Sequence, residues 1–391
     1  MAVHTQHPAA APPAPPPREK TSHLLLRAWC AFVVFAALLG AGWTTFLTPV
    51  GAAVLYGAAG VVSIVLWMTL RPRIDPQRLP WIALAFLAWN AISIAWAADA
   101  PDAAWAWGAL ALTTVQALFV ASVLTWSEIV RAFASALQWL VALSLLWELA
   151  AAIWGGGPLF SLAPLHGIVE DPSRLGALAL LAVVVFAIRL AARRRGRGLL
   201  IGWIVVAAFL FLRAESVIAY VSAGAVAVVL ATILLMRTVS RPGGRTRYYV
   251  AYVVVGVLGA LALLLWRDAL GLHDLPGSSV WVAVFAATGV VGVVVFAAAY
   301  VSFVWRAWFF AVDRPRWDLR ADRPYTSLTL LPSLAGTILL VQGLADASPL
   351  LPWGWLLLVL LGFKLGQAPL VGVGPGEQRA AIEAGERPDP A

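Results

Sequence analysis

The chain has 391 residues, of which 62% are hydrophobic and only 12% charged, with a net charge of +8. A soluble domain carries roughly 25% charged residues, so charge this sparse excludes a water-soluble globular protein of this length. The single cysteine, Cys30, excludes a disulfide framework. The basic excess is placed between apolar runs, which points to a membrane and not to nucleic acid as its partner.

Residues 1–23 are rich in Ala, Pro and His at their start and lack an apolar core, so they read as a disordered tail. No basic segment runs straight into a short apolar one, as a cleavable signal requires. Twelve apolar runs follow, near the roughly 20 residues that carry a helix across a bilayer core about 30 Å thick. They are Leu24–Trp43, Pro49–Leu70, Pro80–Trp96, Trp105–Trp126, Ile129–Trp154 and Leu175–Ala192. Next come Leu199–Leu212, Ser216–Met236, Tyr248–Trp266, Val280–Val304, Ser327–Leu344 and Leu350–Phe363. Leu199–Leu212 and Leu350–Phe363 are short, and either tilt little or pair as a broken hairpin. Tryptophan borders many of the runs, as at a membrane interface. The expected fold is all-α: a polytopic membrane helix bundle of about twelve spans over residues 24–366, then a second polar tail over 367–391. No internal repeat is found.

Lys and Arg in short loops set orientation. With both termini in the cytoplasm, 24 of the 27 basic residues fall on the inner side. Only Arg174, Arg213 and Arg267 fall outside. The inner arginines are assigned to topology and to anionic lipid head groups. The segment Arg306–Arg323 (RAWFFAVDRPRWDLR within it) is read as a short amphipathic stretch at the inner surface, or else a plain connector. Asn90 and Glu148 lie within spans, where satisfied hydrogen bonding inside the bundle accounts for them.

The outer arginines run against the topology rule, and each has ionisable neighbours. The loop 155–174 offers His166, Glu170, Asp171 and Arg174; a tight turn holds Arg213 and Glu215; the loop 267–279 carries Arg267, Asp268, His273 and Asp274. Arg213 is read as opening the helix that begins near Ser216, beside its free amide groups. Guanidinium forks match phosphate oxygens in bidentate fashion, and the anionic substrate available at a bilayer edge is a lipid phosphate or diphosphate. Arg213, Arg267 and Arg174 are therefore candidate diphosphate-binding residues, and His273 and Asp268 candidate catalytic bases. The plain alternative is that Arg213 pairs with Glu215 to finish a helix end. No metal-spaced Cys/His cluster, Gly-rich phosphate loop or Gly-x-Ser-x-Gly motif is present, so no metal or cofactor is expected.

Several stretches resemble the O-antigen ligase and polymerase superfamily of bacterial envelope glycosyltransferases. AWNAISIAWAADAPDAAW resembles the family's early helix ending in a Trp-Ser-x-Asp-Pro-like turn, here with Ala97 and Asp99. GIVEDPSRLGALALLAVVVFAIRLA resembles its Gly-x-x-x-Asn-x-Asn-x-x-Gly segment, with acids and Ser173 in place of the asparagines. FLFLRAESVIAYVSAGAVAVV resembles the helix beginning Thr-Arg-Ser and puts Arg213 on the family's arginine. SSVWVAVFAATGVVGVVVF resembles the His-Asn helix start ending in Gly-x-x-Gly, with Gly289 and Gly292; the histidine position falls on Ser278, and His273 is nearby. GLADASPLLPWGWLLLVLLGFKLGQ resembles the closing Glu-Ser pair of helices, with Asp346 for the glutamate.

The resemblance implies a diverged member in a bacterial plasma membrane. It implies metal-independent, inverting transfer of a glycan from a polyprenyl-diphosphate carrier to a glycan or lipid acceptor at the outer face. Two alternatives stay open. One is a family relative that has lost catalysis and acts as a binding or assembly partner, to which Ser278 and the short 267–279 connection point. The other is a transporter or flippase.

Overall fold

A computed structural model of the chain describes residues 17–72, 74–154, 164–169, 171–192, 197–238, 250, 254, 279–313 and 325–368. Among these residues there are eleven α-helices and no strand. They are α1 (Pro17–Leu39), α2 (Pro49–Leu70), α3 (Trp81–Ser93), α4 (Ala100–Val123), α5 (Trp126–Trp154) and α6 (Pro172–Ala192). The remainder are α7 (Arg197–Arg213), α8 (Val217–Thr238), α9 (Val280–Val312), α10 (Leu331–Ala345) and α11 (Pro352–Gln367). Seven segments are long and apolar enough to cross a membrane: α2, α4, α5, α6, α8, α9, and Ser327–Ala345, where a 3-10 turn runs into α10. Their outward faces carry Val54, Val65, Leu146, Val228 and Val294, all exposed, as suits a lipid-facing surface.

Short polar residues and prolines start these helices, because the first backbone N–H groups have no partner inside the helix. Thr48 caps α2 through Gly51 N, with Pro49 next. Asp99 caps α4 through Asp102 N. Glu128 supplies one half of a capping box on α5, accepting from Thr125 N and from Thr125 Oγ1, each at 2.9 Å. Asp171 accepts from Ser173 N ahead of Pro172 in α6, and Ser279 accepts from Val282 N in α9.

Cross-links between distant helices give the bundle two distinct ends. At one, Lys364 of α11 donates to Ala121 O of α4, and Arg78 donates to Gln367 O. At that same end Arg237 of α8 donates to Ala311 O of α9 and to Thr329 ahead of α10, with Tyr325 under its guanidinium. At the opposite end, Ser173 of α6 approaches Gln342 of α10, and Gln342 donates to Ser222 of α8. Gly343 there lies against Val280, the first residue of α9. These are called below the Lys364 end and the Asp346 end. Thus α8 stops at the Lys364 end, whereas α9 starts at the Asp346 end.

The core lies where α6, α10 and α11 are enclosed by the other helices. Residues Trp353–Leu361 of α11 are buried on every side, which explains why a helix of 16 residues is apolar all round. Phe86 of α3, Phe296 of α9 and Trp355 of α11 pack with ring centroids 5.1 and 5.6 Å apart from Phe86, and Trp355 donates to Thr114 of α4. Helix α9 is broken at Gly289, whose φ of 69° is open to glycine without steric penalty. Trp89 of α3 donates its indole N–H to Thr288 O at that break, supplying the carbonyl with a partner.

The structure differs from the sequence reading at several boundaries. Helix α1 begins at Pro17, inside the stretch expected as tail, since proline is tolerated in a first helical turn. Helix α9 continues unbroken from its kink through Arg306 to Val312, so the first part of the expected amphipathic stretch is an extension of that helix. Residues 314–323 of that stretch, the expected span Tyr248–Trp266 apart from Val250 and Val254, and most of both expected tails lie outside the described residues.

Candidate functional site at the Asp346 end

Three chain turns meet at the Asp346 end. The first is the entry to α6, the second the α7–α8 turn, and the third the α10–α11 turn. Entry to α6 is preceded by residues 164–169, which are pinned to α5. Glu148 accepts from His166 N at 2.9 Å and Gly167 N at 2.7 Å, and Ser144 accepts from Ile168 N. Glu148 therefore has the satisfied hydrogen bonding expected of it. Leu165 N donates to Arg213 O at 2.9 Å, which ties this segment to the α7–α8 turn. Helix α6 itself closes on that turn at Gly176, where a Cβ would lie 2.8 Å from Ala219 Cβ and 3.5 Å from Ala214 Cβ. Arg174 and Arg213 thus stand on neighbouring elements.

Arg213 does not open a helix, contrary to expectation: it is the last residue of α7. The apolar run continues the helix through Leu212, and Glu215 then takes a left-handed φ of 51° that ends it. Ser216 starts α8 by accepting from Ala219 N. Placed in the last turn, Arg213 sits at the end of α7 where the helix dipole favours a cation. Its Nη1 donates to Glu215 Oε1 at 2.7 Å, so the expected alternative pairing is present. Tyr220 adds a bond to Leu212 O at the same helix end.

Arg174 is held differently. It lies in the first turn of α6, half-buried, and its Nε is buried with no hydrogen-bond partner. Asp346 lies within electrostatic reach of it and of Asp171. Asp346 follows the last residue of α10 and accepts from Ser348 N, which folds the α10–α11 turn. Burial pushes the Asp346 carboxyl up from the usual carboxylate range; Asp171 adds to that shift, and Ser348 and Arg174 oppose it. The family-like acids Asp99, Asp171 and Asp346 are therefore all turn or cap residues as well.

The sign of the Asp346 shift has a consequence for stability. A raised folded-state value means the folded chain binds that proton more tightly than the unfolded chain. Its contribution is complete below the ordinary Asp value near 3.9, and is lost as pH rises from there through the raised value. Asp346→Asn should therefore flatten the fall in melting temperature of the detergent-purified protein from about pH 4 upward. Parallel wild-type and variant curves would remove Asp346 as the titrating group.

Of the predicted site residues, the structure brings Arg174 and Arg213 to one end of the bundle with Asp171 and Asp346. His273, Asp268 and Arg267 lie outside the described residues, as do Glu170, Asp274 and Ser278. Gln342 and Ser222, which with Ser173 link three helices just beneath this cluster, carried no signal beyond being polar residues in apolar runs. Among the described residues, no three His, Cys, Asp or Glu side chains are grouped so as to hold a metal ion. Comparison with family models, with curated proteins and with solved structures finds no match to this chain.

Proposed function

We propose that this chain is a bacterial plasma-membrane protein of twelve spans that binds a polyprenyl-diphosphate glycan at its outer face, in the manner of the O-antigen ligase and polymerase superfamily. The observation that carries the reading is Arg174: a half-buried guanidinium with an unpartnered Nε, beside Asp346 at one end of an apolar bundle. Of the described Lys and Arg residues only Arg174 and Arg213 stand at that end, which supports its facing outward. The opposite ends at which α8 stops and α9 starts support one further crossing between them, and so the count of twelve with both termini inside.

In this reading Arg174 holds the diphosphate, with Arg213 and Arg267 assisting. Charge developing on the leaving diphosphate is stabilised by the guanidinium in a site partly shielded from water. Among the described residues Asp346 is the carboxyl best placed to take the acceptor's proton, its affinity for protons already raised; His273 and Asp268 remain the candidates from the 267–279 loop. The Arg213–Glu215 ion pair favours a second reading, a relative that binds the lipid-linked glycan without transferring it.

Binding of a polyprenyl-diphosphate glycan to the detergent-purified chain tests this. A charge-assisted hydrogen bond is worth about 1.5–3 kcal/mol, so Arg174→Gln should weaken binding by roughly tenfold to a hundredfold. Arg213→Lys should weaken it less, because Glu215 already engages that guanidinium. Equal affinity for wild type and Arg174→Gln would end the proposal. Tight binding with no glycan transfer to any acceptor would select the second reading.

A further inference from the structure

The Lys364 end carries a feature that the glycan reading does not use. Helices α1 and α5 run side by side with their N-termini at this end, and between them lies an open groove of about 560 Å³. Its walls are apolar: Phe32 and Phe35 from α1, Ala136 and Leu143 from α5, with the exposed Trp139 at its margin. Its mouth is charged. Arg27, Glu128 and Arg131 line it there, and Arg27 pairs with Glu128. Two arginines against one carboxylate leave one positive charge uncompensated. Arg27 Nε is moreover buried without a hydrogen-bond partner, although the same guanidinium meets Glu128.

We propose that this groove binds one anionic diacylphospholipid, with its phosphate at Arg27 and Arg131 and one acyl chain along the groove. Length supports that occupant. From Glu128 to Leu143 the groove follows α5 for about 22 Å, and from Arg27 to Phe35 it follows α1 for about 12 Å, at 1.5 Å per residue. One leaflet of hydrocarbon is about 15 Å thick, half of the roughly 30 Å core. A polar mouth followed by an apolar channel of that depth matches a head group at the interface and a chain reaching the midplane. The walls supply chain contact and the arginines supply head-group selection. The inference requires that α1 and α5 face lipid, and it is independent of any glycan at the other end.

Native mass spectrometry of the full chain, released from detergent with added phosphatidylglycerol or phosphatidylcholine of identical chains, tests the proposal. One phosphatidylglycerol should be retained at about tenfold lower lipid concentration than phosphatidylcholine. Arg131→Gln, at an exposed position that leaves the fold intact, should remove most of that preference. Ser135→Trp, which fills the groove and keeps both arginines, should abolish retention of the tightly held lipid. Equal retention of the two lipids overturns the proposal, and so does unchanged phosphatidylglycerol retention in Ser135→Trp, which would place the lipid on surface arginines only. Tighter retention of a polyprenyl phosphate than of phosphatidylglycerol in the same assay also overturns it.

Discussion

Arg27→Leu should lower the stability of the purified protein by about 2–3 kcal/mol, and Arg27→Leu combined with Glu128→Leu should recover much of that loss. Glu128 is only 7% exposed and accepts bonds from Thr125 N, Thr125 Oγ1 and Arg27. Removing Arg27 leaves a buried carboxylate with two neutral donors and only the more distant His23 Nε2, 4.0 Å away, as an ionic partner. Breaking a buried pair from one side costs about 3–5 kcal/mol; Arg27 is 38% exposed, so solvent screening brings the expectation below that range. Removing both groups takes away the uncompensated charge, and leaves only the loss of half a capping box, about 1 kcal/mol. Thermal unfolding of the four proteins of the cycle measures this. A double variant as unstable as the sum of its singles would mean that the two side chains act independently.

That pair also shows where the sequence stopped being legible. Arg27 and Glu128 lie 101 residues apart, and each has a sufficient local explanation: one as a positive charge near a helix end, the other as a capping glutamate. Nothing in periodicity or spacing joins them. Arg237 and Lys364 were assigned to topology for the same reason, yet both donate to backbone carbonyls of other helices. The helices themselves were far more visible. α2 occupies Pro49–Leu70 as read, because an apolar run bounded by Thr48-Pro49 and by a basic turn leaves little freedom. The misreading of Arg213 has a physical origin: hydropathy drops at a charged residue, whereas a helix ends where the backbone changes, here at Glu215. The same confusion of apolar run with helix cut α9 short at Val304. At the Asp346 end, the arginines were found because they violate a charge rule. Glu215 was named beside Arg213 and Asp171 beside Arg174 because they are neighbours in sequence; that Asp346 stands near Arg174 was not legible, because the two come from separate turns.

Along α11, two glycines one above the other in sequence should respond to alanine with opposite signs. At Gly362 an added Cβ would lie 3.7 Å from Phe303 Cδ2, an ordinary contact. Alanine there gains helix propensity and should be neutral or stabilising by about 0.5–1 kcal/mol. At Gly354 an added Cβ would press on the carbonyl oxygen of Ser348 and lie 2.8 Å from Pro349 Cα. These are backbone atoms of the tight turn that Asp346 folds by accepting from Ser348 N, and they cannot rotate away as a side chain would. Gly354 is also in the first turn of α11, where the neighbouring Trp353 and Trp355 are fully buried and resist a shift of the helix. Overpacking of this kind costs about 1–3 kcal/mol, and a displaced α10–α11 turn moves Asp346 relative to Arg174. Gly354→Ala should therefore lower the melting temperature and weaken lipid-diphosphate binding together, while Gly362→Ala changes neither for the worse. Were Gly354→Ala to unfold at a lower temperature yet bind with unchanged affinity, the α10–α11 turn would be a structural closure alone, and Asp346 would leave the candidate site.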